Sequence, residues 1–103
     1  PYDPLLFGML GTRAMALVRL ARYDEAAEWG LKAATRPNAH VHIQAIAAHC
    51  LALAGRVEEA RGFASSIRVL QAGYRVDDFL TAFQFPPDAA GVFRVAAATI
   101  GLD

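Results

Sequence analysis

The most constraining feature of this sequence is a repeat with a period of 34 residues. The segment ARYDEAAEWGLKAATRP at residues 21–37 is followed, 34 positions on, by GRVEEARGFASSIRVLQ at residues 55–71. Equivalent positions carry the same kinds of residue: a small residue, then acidic residues, then an aromatic one. A repeat of this length that contains two helices is typical of chains that stack helical hairpins side by side. The sequence therefore predicts an all-α array in which each hairpin buries its apolar face on its neighbour.

The composition favours closely packed helices and excludes a strong electrostatic attraction to nucleic acid or anionic lipid. Hydrophobic residues, many of them alanine, make up 55% of the chain, and alanine has the highest helix propensity. Because ten basic residues balance ten acidic ones, no net field draws the chain toward a polyanion. Cys50 is the only cysteine, which excludes an internal disulfide and fits the reducing cytoplasm. A membrane span across the uncharged residues 37–55 is disfavoured, since proline, asparagine, glutamine and three histidines occur there.

Capping residues and prolines predict where the helices begin and end. Asp3 followed by Pro4 is typical of a helix start, and the residue before Pro37 usually leaves the α region. Gly55, Gly73 and Gly101 are expected just past helix ends, where glycine is the favoured residue. The sequence therefore predicts six helices, at about residues 4–20, 24–35, 38–54, 58–70, 76–83 and 88–100. Since the connections are short, neighbouring helices should pack antiparallel.

The residues that recur at this spacing resemble a known family. They are Ala14, Leu17, Ala21, Tyr23, Glu25, Trp29 and Ala33, which match Ala48, Leu51, Gly55, Val57, Glu59, Phe63 and Ile67. The order of a small residue, a large one three positions on, a short turn and then alanine is similar to the tetratricopeptide repeat. The resemblance implies an α-solenoid of two hairpins, residues 5–37 and 39–71. In it, Ala14 would face Ala26 and Ala48 would face Ala60 at close helix spacing, with Trp29 and Phe63 at joints between hairpins.

Residues 74–102 depart from the repeat and are expected to form a helical cap, since the residues Pro86-Pro87 interrupt the third unit. Solenoids need such caps to stay soluble. The residues expected to cover the second hairpin are Phe79, Leu80, Phe83, Phe85, Val92, Phe93 and Ile100. Other departures from the family pattern are Leu10 and Gln44 at its tryptophan position, Arg13 at its leucine position, and Gly30 and Ala64 where an aromatic is expected.

The two degenerate repeats and the closing segment GYRVDDFLTAFQFPPDAAGVFRVAAATIGL also resemble the C-terminal end of some bacterial signalling proteins. In these, a class III adenylate or guanylate cyclase domain, or a winged-helix transcription factor domain, precedes the tetratricopeptide repeats. The resemblance implies a module for protein–protein interaction or intramolecular regulation or, alternatively, for dimerisation of a transcriptional regulator, with any chemistry upstream. No catalytic residue and no cofactor is predicted in this chain. Because Pro1 is not an initiator residue, we expect a fragment of a longer cytoplasmic protein.

In the tetratricopeptide family, ligands lie against the first helices of successive repeats, on the concave face. Carried onto this chain, the concave face consists of Gly8, Gly11, Met15, Val18, Arg19, His42, Ala45, His49, Ala52 and Leu53, with Phe79 and Phe83 from the cap. Small residues, a methionine and two imidazoles predict a shallow trough for a peptide with apolar anchors. The alternative is that the trough is empty or filled by the same protein. A carboxylate clamp is disfavoured, because Arg19 is the only cation in this set.

The sequence raises four further possibilities, namely a zinc site, an RNA binder, a homo-oligomer and an enzyme. A zinc site is disfavoured because His42 and His49 are two helical turns apart, about 10 Å, too far for both to bind one ion, and Cys50 falls on the opposite stripe. A helical-repeat RNA binder should be basic along one face, whereas this chain is neutral. A homo-oligomer would form through the exposed start of the first helix, at Leu5, Leu6, Met9 and Leu10. An enzyme has only the histidine group in its favour.

Overall fold

The computed structural model describes residues 4–35, 41–85 and 87–103; between residues 4 and 11, Met9 is the one residue whose side chain it describes. This part of the chain folds into six α-helices and contains no strand, which confirms the all-α prediction. The helices are α1 (Pro4–Arg19), α2 (Tyr23–Ala34), α3 (Val41–Leu53), α4 (Val57–Leu70), α5 (Val76–Phe83) and α6 (Pro87–Ile100). No described helix combines the length and the apolar character that a bilayer span requires. The start predicted for the third helix, at residue 38, lies outside the described residues.

The turn between α1 and α2 has the same backbone structure as the turn between α3 and α4. Ala21 and Gly55 both adopt the left-handed conformation, with φ of 55° and 81°. In the first turn, the N–H of Arg22 donates to the carbonyl of Leu17 at 3.0 Å. In the second, the N–H of Arg56 donates to the carbonyl of Leu51 at 2.9 Å. This hydrogen bond closes a helix end around a left-handed residue, and it recurs at the spacing of the sequence repeat.

The side chains at the two turns also match. Arg22 Nε donates to Glu25 Oε1 at 2.7 Å, and Arg56 Nε donates to Glu59 Oε1 at 2.8 Å. Each arginine stands immediately before a helix and binds a carboxylate in its first turn, where negative charge also favours the helix dipole. Because both pairs are exposed, each adds little to stability. The two pairs show that the same local structure occurs twice, 34 residues apart.

Helix α3 is the centre of the fold and packs against all five other helices. No Asp, Glu, Lys or Arg occurs between Val41 and Leu53, and seven consecutive residues, 45–51, are buried. A helix that is apolar all round is one that other elements surround. The four alanines predicted to face one another, Ala14, Ala26, Ala48 and Ala60, are all fully buried in one core. Trp29 and Phe63 are half-buried against that core.

Helices α2 and α3 approach each other closely at Gly30. A Cβ atom placed on Gly30 would stand 3.1 Å from the Cα of Ala47 and 3.3 Å from its backbone nitrogen. This spacing is tighter than ordinary van der Waals contact, so the absence of a side chain lets the two backbones meet. The contact gives a physical reason for glycine where the family pattern expects an aromatic residue.

Helices α5 and α6 and the last residues form one folded piece, which we call the C-terminal unit (residues 74–85 and 87–103). The N–H of Val76 donates to the carbonyl of Leu102 at 2.6 Å. The guanidinium of Arg75 donates twice to the carbonyl of Asp103, at 3.0 and 2.8 Å, and Leu102 itself is buried. These bonds join the start of α5 to the end of α6. Of the residues predicted to cover the second hairpin, Phe79, Leu80, Phe93 and Ile100 are buried, and Phe83, Phe85 and Val92 pack half-buried against the core.

Candidate functional site

The surface predicted to be concave is covered by the chain's own C-terminal unit. Helix α5 packs against α1 and α3, the two first helices of the predicted hairpins, and α6 packs against both of them and against α4. Ala45 and His49 of α3 are fully buried, as is Phe79 of α5. The expectation that these three side chains line an open trough is therefore wrong. The physical reason is that the aromatic rings of the C-terminal unit gain more by packing on α3 than by remaining in water.

His49 is the polar residue at the centre of this contact. Its imidazole lies flat on the ring of Phe79, with 4.3 Å between centroids and 5° between planes. The ring of Phe93 meets it edge to face at 5.9 Å. His49 Nδ1 donates to the carbonyl of Ala45, one turn back in α3, at 2.7 Å. His49 therefore touches α5 through one ring and α6 through the other.

The environment of His49 keeps the imidazole neutral. Burial lowers its pKa from 6.5 to about 4, and the hydrogen bond to the Ala45 carbonyl opposes that shift only in part. With the proton on Nδ1, Nε2 is left as an acceptor, and no described residue donates to it. A buried acceptor without a partner carries a desolvation penalty of about 1–3 kcal/mol. At neutral pH the site thus holds an uncharged imidazole packed against the rings of Phe79 and Phe93.

An aromatic cluster surrounds Phe79 and joins α5 to α6. The centroid of the Phe79 ring lies 5.2 Å from that of Phe93, 5.3 Å from that of Phe85 and 5.4 Å from that of Phe83. Phe85 and Phe93 are 4.8 Å apart. These separations are within the range at which aromatic pairs stabilise each other beyond the area they bury. The predicted partner-binding residues Phe79 and Phe83 therefore serve, in this structure, to hold the C-terminal unit together.

His42 lies at the edge of the same contact and is half-buried. Its Nδ1 and the hydroxyl of Tyr74 share a hydrogen bond at 2.9 Å, and its ring meets that of Phe83 edge on at 6.5 Å. Burial lowers the pKa of His42, and the negative charge of Asp78 opposes this effect. The buried Tyr74 has its own pKa raised, first by burial and then by Asp78. The pair ties the connection before α5 to the start of α3.

The remaining residues of the predicted concave face divide between core and surface. Met15 is half-buried against the core, as are Ala52 and Leu53, and Val18 is buried. Arg19 is exposed, and its guanidinium stands 3.4 Å from the carboxylate of Asp88 at the start of α6. Gly8 and Gly11 lie in α1, in the stretch where surroundings are not described. The use of this face by a partner stays a prediction for Met15 and Arg19.

The described residues do not assemble a metal site. Across residues 4–35, 41–85 and 87–103, no group of three or more His, Cys, Asp or Glu side chains could hold an ion. Cys50 is fully buried, and burial raises the pKa of its thiol to about 12, so the reactive thiolate is strongly disfavoured. Of the three histidines between residues 37 and 55, His40 lies outside the described residues, and His42 and His49 take part in the contacts above.

Two open grooves border the C-terminal unit. The groove between α4 and α6, about 430 Å³, contains Arg61, Ser65, Arg68 and Thr99, and the side chain of Arg68 donates to the carbonyl of Gly101 at the end of α6. The groove between α5 and α6, about 470 Å³, is crossed by the ion pair of Asp77 with Arg94 at 2.8 Å. The serine and threonine of the first groove have no histidine, aspartate or glutamate among the other residues that line it, so neither has a general base there.

Sequence reasoning missed that His49 is enclosed, although the signal was present. A helix that faces a solvent-filled trough has a continuous polar stripe along one side. The helix Val41–Leu53 has no such stripe, because its only polar residues are His42, Gln44 and His49. Such a pattern indicates a central helix. The exposed large apolar residues that the structure reveals are elsewhere: Met9, Leu20, Val69, Leu70 and Val95.

With the geometry established, comparison with known proteins adds no relative: no protein-family model, no curated protein and no solved structure matches this chain.

Proposed function

We propose that this chain is a helical-repeat module for protein–protein interaction or intramolecular regulation, similar to tetratricopeptide repeats. The observation that carries the proposal is the turn that recurs at Ala21 and Gly55, with the same left-handed residue, the same backbone hydrogen bond and the same arginine–glutamate pair. Two such copies, 34 residues apart, support an origin in stacked helical hairpins. Modules of this architecture act mainly by presenting a surface to another polypeptide.

The covered concave face favours intramolecular regulation over an open peptide receptor. Helix α5 is an eight-residue amphipathic helix that inserts its buried side, Val76, Phe79 and Leu80, onto α1 and α3. This is how a helical ligand is held in an apolar groove, except that the ligand belongs to the same chain. A partner that uses this face has to compete with α5, which is present at an effective concentration of roughly millimolar because it is tethered.

On the resemblance alone, we propose that the module serves a cytoplasmic bacterial signalling protein linked to a class III nucleotidyl cyclase or a winged-helix regulator. The catalytic or DNA-binding step would then belong to that other domain. In this setting, docking and release of α5 would report the state of the module to the rest of the protein. The signalling context rests on the resemblance, whereas the α5 contact rests on the geometry.

A peptide added in trans tests whether the face under α5 is a binding groove. The probe is a fluorescein-labelled peptide with the sequence of residues 74–85, YRVDDFLTAFQF. The receptor is the full chain with Phe79→Ala, which removes most of the buried ring of its own α5 and leaves the α1–α3 surface unchanged. We expect saturable binding by fluorescence anisotropy in the micromolar range, since a few buried anchors of this kind supply about 8 kcal/mol.

Two controls test whether the peptide binds in the groove that α5 occupies and whether binding depends on the ring of Phe79. The unaltered chain should bind the peptide at least tenfold more weakly, because its own α5 occupies the groove. The same peptide with Phe79→Asp should bind neither the unaltered chain nor the Phe79→Ala chain. Retention of helical circular dichroism by the Phe79→Ala chain is required, and absence of binding by that folded chain would contradict the proposal.

Dimerisation is a second candidate that one observation favours. Met9 is 60% exposed on α1 although it is a large apolar residue, and it belongs to the set predicted to pair with another copy; Leu5, Leu6 and Leu10 lie where side chains are not described. Light scattering after size exclusion should show a dimer for the unaltered chain and a monomer for Leu6→Asp or Met9→Asp. A monomeric parent chain at about 1 mM refutes dimerisation through α1.

An RNA-binding function would instead appear as retarded migration of single-stranded RNA at moderate salt.

A further inference from the structure

His49 is a titratable side chain placed where the C-terminal unit meets α3. Its ring is fully buried, stacked on Phe79 of α5 and edge-on to Phe93 of α6. The proton on Nδ1 is committed to the carbonyl of Ala45. A second proton can bind only at Nε2, which has no hydrogen-bond partner among the described residues. The site is therefore compatible with the neutral imidazole, but no described residue can accept a hydrogen bond from Nε2 of the protonated form.

No charged group faces His49 from any of the helices that pack on α3. The charged residues of those helices are exposed, and they are Arg13 and Arg19 on α1; Asp24, Glu25, Glu28 and Lys32 on α2; Glu58, Glu59, Arg61 and Arg68 on α4; Asp77 and Asp78 on α5; Asp88 and Arg94 on α6. The buried titratable groups nearby are the neutral thiol of Cys50 and the hydroxyl of Tyr74, which pairs with His42. A protonated His49 would therefore be an uncompensated buried charge, which is strongly destabilising.

We propose that His49 is an acid-sensitive latch: protonation of Nε2 releases the C-terminal unit from α3 and uncovers the concave face. Release stabilises the protonated imidazole, because water can hydrogen-bond to Nε2 once Phe79 and Phe93 have moved away. Helix α2 packs on α1 and α3 and makes no contact with α5 or α6 among the described residues. It therefore keeps its packing in the opened state. That the uncovered face then binds a partner rests on the proposed function; the opening itself does not.

The sign and size of the effect follow from linkage between protonation and opening. His49 has a pKa of about 4 when enclosed and an ordinary value near 6.5 when exposed. The closed state is thus unaffected above pH 6.5, and it loses stability relative to the open state as pH falls from 6.5 to 4. Between pH 7.5 and pH 5.0 the opening equilibrium constant should rise about thirtyfold. Below pH 4 both states are protonated and the effect no longer grows.

Hydrogen exchange followed residue by residue tests the latch in the full chain. Backbone amides of α5 and α6 are measured at pH 7.5 and 5.0 and corrected for the intrinsic pH dependence of exchange, with α2 as the internal reference. We expect protection in α5 and α6 to fall about thirtyfold at pH 5.0 while protection in α2 changes less than threefold. An equal fall in α2 would mean global unfolding, and an unchanged α5 would mean no opening; either result overturns the proposal.

Two variants assign the response to His49. His49→Phe keeps a ring for stacking and removes the proton site, so the difference between the two pH values should disappear. His42→Asn can still bond to Tyr74, and the response of α5 should remain above tenfold. Should His49→Phe fail to fold, the NMR titration of the His49 imidazole in the unaltered chain decides: an apparent pKa near 6.5 with α5 still protected refutes the latch, whereas an apparent pKa at least one unit lower that coincides with loss of α5 protection supports it.

Discussion

Substitution of Gly30 by alanine tests whether the close approach of α2 and α3 depends on the missing side chain. The added Cβ would lie 3.1 Å from the Cα of Ala47, 3.3 Å from its nitrogen and 3.6 Å from the carbonyl carbon of Ile46. All three atoms belong to the backbone of the central helix, so no flexible side chain can move aside. Helix α3 has to shift by a few tenths of an ångström, against the packing of five other helices.

Two opposing terms decide the outcome for Gly30→Ala. Replacing glycine inside a helix by alanine stabilises the helix by about 1 kcal/mol. Forcing an extra carbon into a filled core costs about 1–3 kcal/mol. We therefore expect a net change between zero and about 2 kcal/mol in the destabilising direction. The change in unfolding free energy of Gly30→Ala is most informative when it is compared with that of a matched variant.

Gly62→Ala is the matched variant, because it makes the same chemical change in the exposed side of α4. A Cβ on Gly62 meets nothing within 4 Å, so only the helix-propensity gain of up to about 1 kcal/mol remains. The free energy of unfolding of the two variants and the parent is measured by urea denaturation followed by circular dichroism. Gly30→Ala should be less stable than Gly62→Ala by about 1–3 kcal/mol. Equal stability of the two would refute the close approach.

Three further predictions concern the turn, the chain end and the thiol. Ala21→Gly should stabilise the fold by about 0.5–1 kcal/mol and Gly55→Ala should destabilise it by at least as much, because both positions are left-handed; opposite signs in urea denaturation are the expected result, and equal signs contradict the shared turn. Leu102→Ala should cost about 2–5 kcal/mol of unfolding free energy, since this side chain is buried; a loss below 0.5 kcal/mol, measured the same way, would show that the chain end is not anchored. Cys50 should react with a disulfide reagent at pH 8 at least about 10³-fold more slowly in the native chain than in urea, since its thiol is buried with a raised pKa; rapid native labelling would contradict its burial.

The sequence predicted the local structure well because local structure depends on neighbouring residues. Gly55 and Gly101 end α3 and α6 in the left-handed conformation, as expected for glycine after a helix. Ala21 was predicted to correspond to Gly55, and it adopts the same conformation despite its Cβ. Helix α4 ends at Leu70 as predicted, although the residue that caps it is the extended Gln71 rather than Gly73.

The direction in which the last helices fold back could not be read from the sequence. The apolar residues of α5 and α6 were correctly placed in the core, but the same residues would be buried by packing outside α4 or by packing on α1 and α3. That choice is made by shape: the ring of Phe79 stacks on the imidazole of His49, and the ring of Phe93 meets the imidazole edge on. The apolar pattern of Val41–Leu53 indicates that α3 is enclosed. Contacts between residues 30 to 44 positions apart leave no periodic trace in the chain, so the sequence does not show which helices cover Ala45 and His49.

The packing of α1 against α5 and α6 has a consequence for cooperativity. In an open row of repeats each unit touches only its neighbours, so one end can fray while the other persists. Here Arg19 and Asp88, 69 positions apart, bring the first and last helices together at the surface, above contacts of α1 with both helices of the C-terminal unit. Loss of the packing of α6 therefore destabilises α1 as well. At neutral pH, where the C-terminal unit stays docked, thermal melting should follow one transition rather than a sequence of separate steps.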